Sequence, residues 1–401
     1  MTEQVKLYRS YARFVKRLLL LGGIWPMIEK ESSYFYRRLP IFAVSSGVMM
    51  LFGVLRFCQD NIGNLSVFTK GLSLVGSFSL ISLKALMFII YRKQLCELND
   101  ILDPMFEKTL ENPRLRPILL SLLNLFRYLS YVFYFLIMGI VTLYVCTPLI
   151  FIGYEAIKDI YPRRYGLPYP TSFPWIDGTP GIYYHIQYIF ETQYSWFVVF
   201  ITSGVDSLFG FHIFQIVGLF RALSYECEYF TKSNPNDLHD VVYNCIKKHI
   251  QLLRCRDIIQ TVYGPIVFNL VLTSAMVLCA LSFQIFKTEM TISKTLLFIV
   301  YGVQKTTQTF IYAWCGSTII SEVNIFIYLY RQDEDFRKRI YSCKWYACNN
   351  VSIMKGILLV LTQKPMVLVA CHFFFISLDM FVKILNTSIS YYFLLQTFEE
   401  M

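Results

Sequence analysis

The stretch Ser377–Met401, SLDMFVKILNTSISYYFLLQTFEEM, is long enough to cross a bilayer, yet it carries Asp379, Lys383, Asn386, Ser390 and Thr397. A plain lipid anchor would exclude such residues. Together with Leu394 they recur at helical spacing, three or four residues apart, so all six share one face of a single helix. A charge near the bilayer centre costs about 2.5–3.5 kcal/mol, so this face must meet protein or water rather than lipid. Asp379 and Lys383, four apart with the acid first, are spaced to pair. The stripe fits either interhelical hydrogen bonding or a wet conduit, and its pattern alone leaves both open.

Composition places the rest of the chain around this helix. Of 401 residues, 55% are hydrophobic, 17% aromatic and only 16% charged, with mean hydropathy +0.47, which excludes a soluble domain of this length. The net charge of +10 is better explained by cytoplasmic loops than by nucleic acid, because no basic block carries stacking platforms. The eleven cysteines are scattered, with no CxxC pair and no spacing to histidine that would hold a metal, and no cofactor motif is present. Paired carboxylates, HExxH or a nucleophile with a base partner are not visible in the apolar runs, so an enzyme is not expected.

Breaks at charge clusters, Pro and Gly divide the chain into seven apolar spans, at about 38–57, 66–91, 119–151, 181–220, 257–286, 292–320 and 366–398. The expected architecture is an all-α membrane protein with one seven-helix domain over 1–401. It comprises an N-terminal segment (1–37), spans one to six (38–320), a cytoplasmic linker and anchor helix (321–365) and the last helix (366–401). Lys and Arg concentrate in the leading segment and after spans two, four and six, which predicts a cytoplasmic N-terminus and an extracellular C-terminus. The opening MTEQVKLYRSYARFVKRLLLLGGIWP reads as an uncleaved cytoplasmic or interfacial segment. The sequon Asn64-Leu65-Ser66 then falls outside, where glycosylation is possible.

Two further features bear on architecture. The helical pattern from Asp237 to Phe286 is about 75 Å long at 1.5 Å per residue, against a hydrocarbon core of about 30 Å, so its charged first half should project into the cytoplasm as part of a helical base. The outer loop near 152–180, with its YPRRYGLPYPTSFPWIDGTPG, is too rich in Pro and Gly for regular structure and reads as an ordered lid or a spacer. Lys84 and Lys305 sit inside apolar spans, where charge often marks function, although Lys84 could snorkel to the cytoplasmic edge.

The C-terminal third resembles the end of the insect odorant receptors. The resemblance rests on Trp345-Tyr346, the Gln363-Lys364-Pro365 break, Ala370, the Ser377 turn before Phe381 and the ending TSISYYFLL, with Gly316 and Glu322 upstream. The charged RQDEDFRKR insert between Glu322 and Trp345 departs from the family's shorter connection. The resemblance implies a subunit of a ligand-gated, non-selective cation channel in the plasma membrane of sensory neurons. Such channels are tetramers, generally including a co-receptor subunit, around a pore lined by the last helix. It implies that Asn386 and Ser390 face the pore, that Leu394 forms an apolar gate, and that Thr397 and Phe398 lie beyond it. It also implies a pocket for a small volatile organic molecule in the outer half of the subunit, near Leu74, Phe78, Tyr144, Thr147, Tyr194, Phe197, Ile201 and Tyr301. Taken singly, each of these reads more readily as an ordinary core or lipid-facing residue, and the pocket reading rests on them as a group. A gustatory receptor channel of the same fold is the near alternative. A receptor signalling through G proteins is the distant one, since neither an Asp-Arg-Tyr nor an Asn-Pro-x-x-Tyr element is found where it would belong.

Overall fold

In the computed structural model of the chain, every residue from 201 to 220 is buried. A helix buried on all sides can only be the centre of a bundle. The structure describes residues 3–27, 34–159, 161, 165–175, 181–230, 238–287, 292–320, 358, 367–371 and 373–400. Within them the order is α1 (Glu3–Leu21), α2 (Tyr34–Asp60), α3 (Leu65–Ile90), α4 (Arg92–Glu111), α5 (Arg116–Leu119), α6 (Leu123–Ile157), α7 (Ile182–Phe230), α8 (Leu238–Lys287), α9 (Ile292–Ile320), β1 (Val369–Ala370), β2 (Phe374–Phe375) and α10 (Leu378–Glu400). The central helix is α7. Around it, α3 packs on α2 and α8, and α6 packs on α7 and α9.

Among the described residues, five stretches, in α2, α3, α5–α6, α7 and α8, are long and apolar enough by themselves to cross a bilayer. Helices α9 and α10 complete a seven-helix set and carry the polar residues that set them apart. Helix α8 runs 50 residues and α7 runs 49, so both extend well beyond a bilayer's core. Asn64 caps α3, its Oδ1 accepting from the Val67 amide at 3.2 Å.

The leading segment behaves differently from an interfacial helix. Val5, Tyr8, Tyr11, Val15, Leu18 and Leu19 repeat at helical spacing, and the face they form is buried. It packs on α7, and the Tyr11 hydroxyl meets Ser130 Oγ of α6 at 2.8 Å. Protein, rather than lipid, covers this apolar stripe.

The last span also starts later than its hydropathy implies. Val369–Ala370 and Phe374–Phe375 form a small antiparallel hairpin, pairing Val369 with Phe375 and Ala370 with Phe374, and the helix begins only at Leu378. The hairpin turns at Cys371, whose φ is +47°. It lies against α8, where Gln260 Oε1 accepts from the Val369 amide at 3.3 Å and Phe268 stacks near Phe374. The linker 321–357, with Glu322 and Trp345-Tyr346, lies outside the described residues, as do Gln363, Lys364 and Pro365.

Helix α9 holds the start of α10 in place. Ser317 Oγ accepts from the Leu378 amide at 2.8 Å, and Phe310 meets Phe381 edge-on at 5.7 Å. Between them Gly316 lets the Ile376 carbonyl approach so closely that any Cβ would collide with it. Gly316→Val is therefore expected to destabilise this junction by about 1–3 kcal/mol, the usual cost of overpacking. Thermal melting of the purified protein tests this, and an unchanged midpoint would show that the junction yields.

Candidate ligand cavity and pore face

A cavity of about 60 Å³ lies between α3, α6, α7 and α9. Its wall is apolar, with Leu74, Phe78 and Ile81 from α3, Ile137, Ile140, Val141 and Tyr144 from α6, and Val198 from α7. At one end it turns polar, where Thr202, Gln304, Lys305 and Gln308 converge. Tyr301 closes a side, its hydroxyl 2.5 Å from Ser77 Oγ.

Tyr169, from the Pro-rich loop between α6 and α7, stands between this cavity and a wider one. Its ring stacks on Tyr144 at 5.3 Å and meets Phe78 edge-on at 5.2 Å. Beyond it opens a vestibule of about 440 Å³ lined by Thr147, Pro148, Leu167, Pro168, Phe298 and their neighbours. Leu74, Tyr144 and Tyr169 border both spaces.

A buried carboxylate in α7 fixes the loop. Glu191 Oε2 accepts from the Tyr169 amide at 3.0 Å, and Oε1 accepts from Thr171 Oγ1 at 2.5 Å and from Gln187 Nε2 at 3.0 Å. The Tyr169 hydroxyl lies 3.0 Å from Ser195 Oγ. The Ser172 amide donates to the Gly53 carbonyl at 3.0 Å, tying the loop to α2 as well. Of the two readings the loop permits, the ordered one describes residues 165–175. Burial raises the pKa of the Tyr169 phenol well above its usual value, so it is neutral at any physiological pH.

A second polar cluster closes the polar end. Asp206 Oδ1 accepts from Lys84 Nζ at 2.6 Å and from the Tyr312 hydroxyl at 2.6 Å, while Oδ2 accepts from Gln308 Nε2 at 2.7 Å. Lys84 is fully buried and Asp206 is 1% exposed. Lys84 thus does not snorkel; it bonds α3 to α7, and Gln308 and Tyr312 bring in α9.

The expected pocket residues divide. Leu74, Phe78, Tyr144 and Tyr301 line the inner cavity, and Thr147 lines the vestibule. Tyr194, Phe197 and Ile201 line neither. Tyr194 packs edge-on behind Phe78 at 5.2 Å, Phe197 packs against Phe42 at 6.0 Å, and Ile201 lies beside Gly22 at the end of α1. The reason is helical phase. The cavity-facing residues of α7 are Val198 and Thr202, each one position further along, which rotates the face by about 100°. Tyr169, Thr202 and Gln304 line the cavity without a sequence pattern that marks them, whereas Lys305 stands out in the sequence as an intramembrane charge.

On α10 the stripe is uncovered. Asp379, Lys383, Asn386, Ser390, Leu394 and Thr397 are all exposed, Leu394 by 50%, whereas Met380, Ile384 and Ser388 face the bundle and are buried. Ser390 Oγ donates to the Asn386 carbonyl at 3.0 Å and Thr397 Oγ1 to the Leu394 carbonyl at 2.7 Å. Among the described residues no ion pair joins Asp379 to Lys383. The Phe398 side chain lies outside the described set.

Comparison with known proteins gives this arrangement its context. Odorant receptor 13a of Drosophila melanogaster is 23% identical over 276 residues, covering 64% of this chain and 63% of that protein. The odorant receptor coreceptor of Anopheles gambiae is 26% identical over 171 residues, 40% of this chain and 34% of that one. The chain thus spans less than two thirds of these two relatives' lengths. Among solved structures, the olfactory receptor OR5 from Machilis hrabei in complex with eugenol superposes with a TM-score of 0.81 at 16% identity, covering 97% of this chain and 99% of the other, a likeness of fold. The family described as 7tm Odorant receptor, a receptor family and not an enzyme one, matches residues 64–389, from the cap of α3 into α10. The chain is therefore a multi-pass membrane protein that belongs to the seven-transmembrane odorant receptor family.

Proposed function

We propose that the chain is the odorant-tuning subunit of a ligand-gated, non-selective cation channel. It would sit in the plasma membrane of sensory neurons with its N-terminus inside, and assemble as a tetramer with a co-receptor. The observation that carries this reading is the uncovered stripe of α10. A polar face on a membrane helix must meet water or protein, and neighbouring subunits about an axis would enclose it as a conduit. Asn386 and Ser390 would then line the path, Leu394 would narrow it, and Thr397 and Phe398 would lie beyond. The relationship to a coreceptor supports the hetero-oligomer, and eugenol bound to OR5 supports a small volatile ligand.

The coupling would run along α9. Its residues Tyr301, Gln304, Lys305 and Gln308 border the cavity, and about three turns on, roughly 18 Å away at 1.5 Å per residue, Gly316 and Ser317 hold the start of α10. A ligand that fits the cavity better when α9 has shifted selects the state in which α10 has moved with it. The cavity of about 60 Å³ is smaller than the ~150 Å³ that holds benzene in an engineered protein core, so binding a larger ligand requires Tyr169 to give way toward the vestibule.

Two experiments examine this reading. With Asn386→Cys or Ser390→Cys, a charged water-soluble thiol reagent should reduce agonist-evoked current by at least about half if the face lines a conduit; persistent full current after demonstrated labelling would place the stripe elsewhere. Tyr169→Ala should lower the half-maximal concentration for bulky odorants by about tenfold, since about 1.4 kcal/mol of displaced aromatic packing no longer opposes entry. Identical dose-response curves for the variant and the parent would remove Tyr169 from the entry path.

A further inference from the structure

Lys305 is 2% exposed, and its ammonium stands at the polar end of the cavity with Gln308 Oε1 as its hydrogen-bond partner, at 3.1 Å. An ammonium has three protons to donate. The charged groups acting on it are Lys84, which repels it, and Asp206. Asp206 is already occupied by Lys84, Tyr312 and Gln308. The cluster therefore holds two lysines to one carboxylate, and a buried charge is costly without a partner. Beside it, the Thr202 hydroxyl also lines the cavity and, among the described residues, has no hydrogen-bond partner. Away from this end and the hydroxyls of Ser77, Tyr144, Tyr169 and Tyr301, the wall is apolar.

We infer that the cavity takes small carboxylic acids, with the carboxylate against Lys305 and Thr202 and a short hydrocarbon body among Leu74, Phe78, Ile137 and Ile140. The acid supplies the second negative charge that the cluster lacks, and a hydrogen bond to an ionised partner is roughly twice as strong as a neutral one. An alcohol or ester of the same size fills the same apolar wall but leaves the surplus charge uncompensated. A site built to bond one polar head discriminates strongly against analogues without it. The compact cavity favours a chain of few carbons. This inference rests on the odorant-receptor reading and adds the ligand class to it.

The test is current through the channel, with this chain co-expressed with an insect co-receptor, during exposure to butanoic acid, butan-1-ol and methyl butanoate. The acid is expected to be at least about tenfold more potent than either neutral analogue, the effect of one charge-assisted bond. Lys305→Met should abolish that ratio, and Lys305→Arg should keep most of it. Should Lys305→Met not reach the surface, Lys305→Gln, which keeps polarity without charge, carries the same comparison. Equal potency of acid and ester, or an acid preference that survives loss of the charge, overturns the inference while the channel reading stands. So does a response confined to other volatiles. Silence toward every volatile from channels shown to be at the surface removes both.

Discussion

Asp206→Ala is expected to leave little folded protein at the cell surface. The carboxylate is 1% exposed and receives three hydrogen bonds, from Lys84 in α3 and from Gln308 and Tyr312 in α9. Truncation strands the Lys84 ammonium in the bundle, and breaking a buried pair in this way costs about 3–5 kcal/mol. Total stabilities are only about 5–15 kcal/mol, so the loss is a large fraction of the whole. The double change Lys84→Met with Asp206→Leu removes both charges and should recover much of the stability, because apolar replacement of a buried pair is often neutral or better. Thermal melting in detergent, with surface biotinylation alongside, reads both variants. A single variant that melts with the parent would mean the pair contributes nothing to holding α3, α7 and α9 together.

Leu394→Ala is expected to raise resting current several-fold, because a narrow apolar ring resists wetting and shrinking its side chains lets water in. Leu394 is 50% exposed on the uncovered face of α10, above the Asn386 and Ser390 positions on the same stripe, so its side chain is free to meet its counterparts across an axis. Leu394→Ser should raise the resting current further, adding a hydroxyl to the smaller volume. Current without agonist, normalised to surface protein, is the readout. A tightly closed channel in both variants would assign the gate to another position.

The last helix was legible in the sequence because its information is periodic. Six positions at helical spacing marked a face, and all six are exposed, at the middle of a broader uncovered side of the helix. The 50-residue α8 was legible for the same reason, from Asp237 onward. The start of α10 was not. Residues 366–377 form an apolar run, and such a run reads equally as helix or strand when it lacks alternation; the hairpin depends on Cys371 adopting positive φ and on the docking of Val369 onto Gln260. On α7 the cavity-lining residues Val198 and Thr202 stand one position along from Phe197 and Ile201, a phase the sequence does not mark, since α7 is apolar on most of its faces. Asp206 carried a usable signal that went unread. Two lysines in other spans, Lys84 and Lys305, called for a carboxylate within the membrane, and the stretch 201–220 contains a single one. Tyr169 had no such signal, because a Pro-rich loop has no period to betray which residue turns inward.

The chain is proposed to confer odorant-gated cation conduction. Whole-cell current is its most direct measure, with the chain expressed alone and with an insect co-receptor, in cells lacking usable G-protein signalling, during exposure to a panel of volatiles. The expected result is a cation current that requires both subunits and follows the volatile within the time of solution exchange. No volatile-evoked current beyond that of the co-receptor alone, with both proteins demonstrated at the surface, would contradict it.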